Sequence, residues 1–212
     1  MEKLFWKDPY QTELTTHIAS VNANKVTLKE TIFFAFSGGQ ESDAGTIGGF
    51  RVLEAQVQDK DIVYALDGNP SLKAGDEVKV QINWTRRYKL MRLHFAAEII
   101  LELAYKHLTG IEKIGAHIAE DKSRIDFVWG ENISKAFSLL ENEANDLIAA
   151  DLPIISDFSD ETNERRFWEI DGFAKVSCGG THLRRTGEIG KLHLKRVNTG
   201  KGKERIEIYL EN

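Results

Sequence analysis

The chain has 212 residues, enough for one large domain or two small ones around a real core. Its composition, 42% hydrophobic and 29% charged, is that of a soluble globular protein, and without a run of 18 apolar residues no transmembrane helix is expected. The net charge of −5 argues against a nucleic-acid binder for the chain as a whole, and the single cysteine, Cys178, excludes an internal disulfide framework.

The N-terminus, "MEKLFWKDPY", lacks the apolar core of a secretory signal, so a cytoplasmic protein is expected. Residues 1–84 then alternate as short strands: "LTTHIASV", "KVTLKET", "FRVLEAQVQD", "DIVYALDG" and "DEVKVQINW". Turn signals at Asp67-Gly68-Asn69-Pro70 and Ala74-Gly75-Asp76 separate them, and strands this closely spaced suggest a small antiparallel β-barrel. Within this region "FSGGQESDAGTIGGF", residues 36–50, carries five glycines. Glycine permits a tight turn or close backbone approach, so the segment reads either as a turn or as a loop that reaches a binding cleft.

The texture changes at Thr85. "RRYKLMRLHFAAEIILELAYKHL", 86–108, has apolar or small residues at 90, 93, 97, 101, 104 and 108, which is helical spacing, and Gly110 stands where a C-terminal stop belongs. His94 and Glu98 lie one turn apart on this helix, where burial would be costly unless each finds a partner. Satisfied hydrogen bonds or metal ligation would both meet that need. A second helix is expected over 133–150, "ISKAFSLLENEANDLIAA", preceded by a strand at "RIDFVWG". Strands "LPIISDFS", "RRFWEI", "FAKVSC", "KLHLKRVN" and "RIEIYL" follow, so residues 85–212 read as an antiparallel sheet with two helices, and the chain as α+β.

In "SCGGTHL", 177–183, Cys178 stands four residues before His182. Thiolate and imidazole are good zinc ligands, and Gly179 and Gly180 would let the loop fold both onto one ion. With His94 and Glu98 this makes four candidate ligands from two distant segments; the plain alternative is a small buried Cys178 and a surface His182. Residues 165–212 also hold 11 Lys+Arg against 6 Asp+Glu, while residues 1–164 hold 17 against 27. That asymmetry suggests a polyanion-binding end or, more simply, solvated strand faces.

The segments "SGGQESDAG", "MRLHFAAE", "RIDF", "ENEANDLI" and "CGGTHLRRTGEIGKLHLKRVNTGKGKERI" occur in an order that resembles the alanyl-tRNA synthetase editing domain. The chain is similar to free-standing alanyl-tRNA editing proteins of the AlaX type, over residues 33 to 208. The resemblance implies a glycine-rich β-barrel (1–84) followed by a two-layer α/β editing domain (85–212). It also implies hydrolysis of the ester of mischarged tRNA(Ala), seryl- or glycyl-tRNA(Ala), with the acceptor end of tRNA(Ala) as partner. One zinc ion is implied, held by His94, position 98, Cys178 and His182.

The family motif has histidine at 98 and usually threonine at 95, whereas this chain has Glu98 and Phe95. A carboxylate is a legitimate zinc ligand. A large ring at 95, if it faces the pocket, removes a polar contact that helps a site read a serine hydroxyl. Expected roles are catalysis for Glu98 and the amides of Gly179 and Gly180. Substrate contact is expected for Gly38, Gly39, Gln40, Phe95, Thr181, Arg184 and Arg185. Lys191, Lys195, Arg196, Lys201, Lys203 and Arg205 are further candidates for phosphate contact. The altered motif leaves two other readings open: a binding homologue without editing activity, or a zinc hydrolase of another small ester or amide.

Overall fold

A computed structural model describes residues 1–68, 70–200 and 202–211. Asn69 of the expected turn and Lys201 of the basic run lie outside the described residues. The chain is α+β, with antiparallel sheets and two α-helices. It divides into two compact units: residues 1–37 with 41–88, and residues 38–40 with 89–212. Among the described residues no helix is long and apolar enough to cross a membrane.

In the first unit, β1 (Glu2–Lys3) pairs in parallel with β4 (Glu30–Thr31). The unit also contains β2 (Glu13–Asn22), β3 (Lys25–Leu28), β5 (Gly45–Ile47), β6 (Phe50–Gln58), β7 (Asp61–Leu66) and β8 (Glu77–Ile82). Their pairings follow the order β2–β3–β7–β6–β5–β8 and return to β2, a closed circuit. Period-2 alternation places Ile62, Tyr64 and Leu66 of β7 and Val78, Val80 and Ile82 of β8 inside. The Tyr64 hydroxyl bonds to Thr31 Oγ1 (2.7 Å) and the Phe33 carbonyl (3.1 Å), so the buried polar atom is satisfied. Arg87 is fully buried and forms a two-bond ion pair with Asp43, with further bonds to the carbonyls of Pro9 and Ile32.

The second unit is organised by helix α1 (Trp84–His107) from Lys89 onward. From Leu90 to Ala104 only Arg92, Glu98 and Glu102 retain partial exposure, so the helix is enclosed on nearly every side. The single apolar stripe expected from the sequence is therefore too narrow, because Met91, Phe95, Ala96, Ile99, Ile100 and Leu103 are buried as well. An all-round apolar surface is that of a central helix. Gly110, at φ +86°, ends it.

One side of α1, through Leu90 and Leu93, packs on Ile118 and Leu210 of a four-stranded antiparallel sheet. This sheet contains β9 (Glu112–Ile118), β10 (Ser123–Val128), β14 (Leu192–Gly200) and β15 (Lys203–Leu210), ordered β14–β15–β10–β9. Another side meets a three-stranded sheet, β11 (Ile155–Asp160), β12 (Arg165–Ile170) and β13 (Ala174–Ser177), through Phe95 against Trp168. The expected second helix is a 3-10 turn, Ile133–Ala136, running into α2 (Phe137–Ala149). The Asn132 side chain caps the turn by accepting from the Ser134 N–H. α2 buries Leu140, Ala144 and Ile148, and Asn145 exchanges two bonds with the backbone of Leu192 at the start of β14.

Candidate metal centre

His94 projects from the middle of α1, which is held rigid by its own burial. Cys178 and His182 come from the loop that leaves β13. The pairing of Phe167 with Ser177 and the bond from the Cys178 N–H to the Arg166 carbonyl (2.9 Å) fix the start of that loop. The ligand atoms of His94, Cys178 and His182 all lie within 4.8 Å of one another. Cys178 Sγ is 3.5 Å from His94 Nε2 and 3.3 Å from His182 Nε2.

These separations fit the donor set to a tetrahedral ion. Bond lengths of about 2.3 Å to sulfur and about 2.0–2.1 Å to nitrogen, at a tetrahedral angle, place the two donors roughly 3.5 Å apart. Without a metal the same spacing suits a weak hydrogen bond to sulfur. The outer nitrogens are also occupied: His182 Nδ1 lies 2.8 Å from Ser156 Oγ, and His94 Nδ1 lies 3.4 Å from the Thr181 carbonyl. With those nitrogens as donors, both Nε2 lone pairs point inward, which is the usual second layer of a histidine metal site.

Electrostatics follow from the crowding. Burial opposes charge on His94, but the Cys178 sulfur and Glu98 beside it outweigh that and raise the imidazole to about 10. His182 is driven well below its ordinary value, first by burial and then by the positive charges of His94 and Arg166. Burial likewise works against the Glu98 carboxylate, yet its bonds to His94 and Trp168 hold it below the usual range.

The remaining sequence candidates fall into distinct places. Glu98 is one turn from His94, with Oε1 3.5 Å from His94 Nε2, but it is not a member of the three-residue donor group. Phe95 is fully buried, its ring edge-on to Trp168 (5.1 Å) and to His182 (5.7 Å), so it backs the site. Gly180 is needed for close approach: a Cβ there would stand 2.2 Å from His94 Cε1 and 2.9 Å from Gln40 Oε1. Gly179 is exposed, with open space around its Cα.

Residues 38–40 of the glycine-rich segment pack with this unit. A Cβ on Gly39 would meet the Ala116 carbonyl oxygen at 2.6 Å, Gln40 bridges to Ile118, and the site of Gly38 is open. Gln40 is buried, donating Nε2–H to Thr181 Oγ1 (2.8 Å) and accepting from the Thr181 N–H (3.3 Å). Arg184 and Arg185 are exposed, and Arg185 is paired with Asp151 (2.8 Å). In the basic run, Lys191, Arg196 and Arg205 pair with Glu211, Glu204 and Asp126.

Three contributors escaped sequence reasoning: Ser156, Arg166 and Trp168. The indole N–H of Trp168 donates to Glu98 Oε2 (2.8 Å), and Arg166 Nη1 to the Gly180 carbonyl (3.4 Å). The alternation in "RRFWEI" puts Arg166, Trp168 and Ile170 on one buried face of β12. An arginine in phase with Trp168 and Ile170 along an alternating strand was the available signal.

The chain is similar to several known proteins. The family described as the threonyl and alanyl tRNA synthetase second additional domain matches residues 166–207. An alanyl-tRNA editing protein AlaX-M of Pyrococcus horikoshii is 32% identical, over 99% of this chain and 97% of its own length. The chain belongs to the AlaX-M family of alanyl-tRNA editing proteins. The AlaX-M of Methanosarcina barkeri is 35% identical, with 97% of each chain covered. An alanine–tRNA ligase of Methanococcus maripaludis is 32% identical over 97% of this chain but only 25% of the ligase.

Proposed function

We propose that this protein hydrolyses, in trans, the ester bond of mischarged tRNA(Ala), seryl- or glycyl-tRNA(Ala), at a site that holds one zinc ion. The convergence of His94, Cys178 and His182 from α1 and a distant loop, in a member of this family, is the observation that carries the reading. Zinc in such a site is a Lewis acid and makes water nucleophilic at neutral pH. The rest of the chemistry belongs to the chain. His94, Cys178 and His182 would hold the ion, with Glu98 Oε1 3.5 Å from His94 Nε2. The amides of Gly179 and Gly180 line the loop as donors for a developing oxyanion. Gln40 and Thr181 clamp that loop to the 38–40 segment, which receives the acceptor end of tRNA(Ala) together with Arg184 and Arg185.

Phe95, sealed beneath His182, offers no hydroxyl to a seryl group, so recognition of serine falls to the loop. The ester is already activated and no nucleotide is needed, and the substrate places the work in the cytoplasm. Deacylation of seryl- and glycyl-tRNA(Ala), before and after chelation and after zinc is returned, tests the proposal. Loss and recovery of hydrolysis are expected. A protein that binds zinc but leaves both tRNAs charged would act instead on another small ester or amide.

A further inference from the structure

Trp168 is inaccessible to solvent on the inner face of β12, and its indole N–H donates to Glu98 Oε2 at 2.8 Å. The ring is pinned by Phe95 edge-on at 5.1 Å and by Phe173 stacked at 6.5 Å. Indole has one donor and no acceptor, so this bond commits one carboxylate oxygen and leaves the other. The remaining oxygen, Oε1, lies 3.5 Å from His94 Nε2. Among the described residues, the donor atoms that all lie within 4.8 Å of one another are those of His94, Cys178 and His182. The indole bond holds this carboxylate from behind, on the oxygen that does not face His94.

We propose that the metal centre has three protein ligands, His94, Cys178 and His182, and that Glu98 stands outside the donor set, holding the reacting water, with Trp168 as its positioning residue. The inference rests on the metal-dependent hydrolysis proposed above and differs from a four-ligand set that includes position 98. Three protein ligands leave a position open for chemistry, whereas four close the site. The geometry suits the role: Oε1 faces the cluster as a hydrogen-bond acceptor, one turn from a ligand on a rigid helix. The indole bond also stops the carboxylate from rotating away when a water arrives.

The test loads wild type, Glu98→Gln and Trp168→Phe with Co2+ in place of zinc. The visible spectrum reports the ligand set without turnover, and competition with a chelating dye gives affinity. Both variants are expected to take up one Co2+ with the wild-type spectrum, while kcat on seryl-tRNA(Ala) falls roughly 10- to 100-fold at little-changed KM. An altered spectrum or lost metal in Glu98→Gln makes Glu98 a ligand and overturns the inference, as does unchanged kcat in Glu98→Gln. A Trp168→Phe protein that melts earlier yet keeps its kcat reduces Trp168 to packing and removes it from the proposal. Wild type that binds metal but deacylates neither tRNA refutes the functional reading alone, because the spectra still decide the ligand count. Wild type that takes up no metal overturns the present inference.

Discussion

Gly180 is the position at which a single methyl group should dismantle the site. A Cβ built there meets His94 Cε1 at 2.2 Å, His94 Nδ1 at 2.8 Å and Gln40 Oε1 at 2.9 Å. Ordinary carbon contacts begin near 3.5 Å, so the imidazole or the loop must retreat by about 1 Å. Neither has room. His94 is buried on an enclosed helix, and the loop is held by Gln40 and Arg166. Overpacking of this kind costs about 1–3 kcal/mol, which at roughly 2–4 °C per kcal/mol lowers the melting temperature by several degrees. The larger effect is on the metal, because a displacement of about 1 Å takes His94 Nε2 outside the ±0.2 Å tolerance of a ligand bond. Gly180→Ala should therefore lose most of its zinc affinity in chelator competition. Gly179→Ala, which meets open space, should match the wild type. Wild-type zinc affinity and melting temperature in Gly180→Ala would refute the close-approach argument.

Three further outcomes are expected. Asp43→Asn leaves the buried Arg87 charge without its partner in the first unit, and urea unfolding should show a loss of about 3–5 kcal/mol; a loss below about 1 kcal/mol contradicts that accounting. Thr181→Val keeps shape but removes the acceptor for Gln40 Nε2–H, so hydrogen exchange at residues 38–40 should quicken, and unchanged protection would show the bond to be dispensable. Glu204 is held below its ordinary value of 4.5 chiefly by its bond to Arg196. A depressed carboxylate contributes stability above its unfolded value and loses it as pH falls through the folded one. Glu204→Gln should therefore cost stability at pH 7 and little at acidic pH, and an equal cost at both would exclude the ion pair as the cause.

Much of this protein is legible in its sequence because the relevant signals are local. Alternation in "DIVYALDG" and "DEVKVQINW" marked β7 and β8, since strand periodicity is a property of neighbouring residues. The i, i+4 spacing of Cys178 and His182 around two glycines marked half of the candidate centre, and His94 on a periodic helix marked the rest. β9 was missed because Gly115 and the bulge at Ile114, which the register with Asp126 and Phe127 skips, break its pattern, and its pairing is set by β10 and by Gly39–Gln40.

Burial all round α1 was equally invisible. A stripe read along one helix cannot reveal that a three-stranded sheet covers a second face through Phe95 and Trp168. The same non-local packing brings the Trp168 indole to Glu98, 70 residues away, and Ser156 to His182, 26 residues away. Sequence supplies donor types at fixed local spacing. Which oxygen of Glu98 is committed, and which nitrogen of each histidine faces inward, depends on partners that only chain folding brings within about 3 Å.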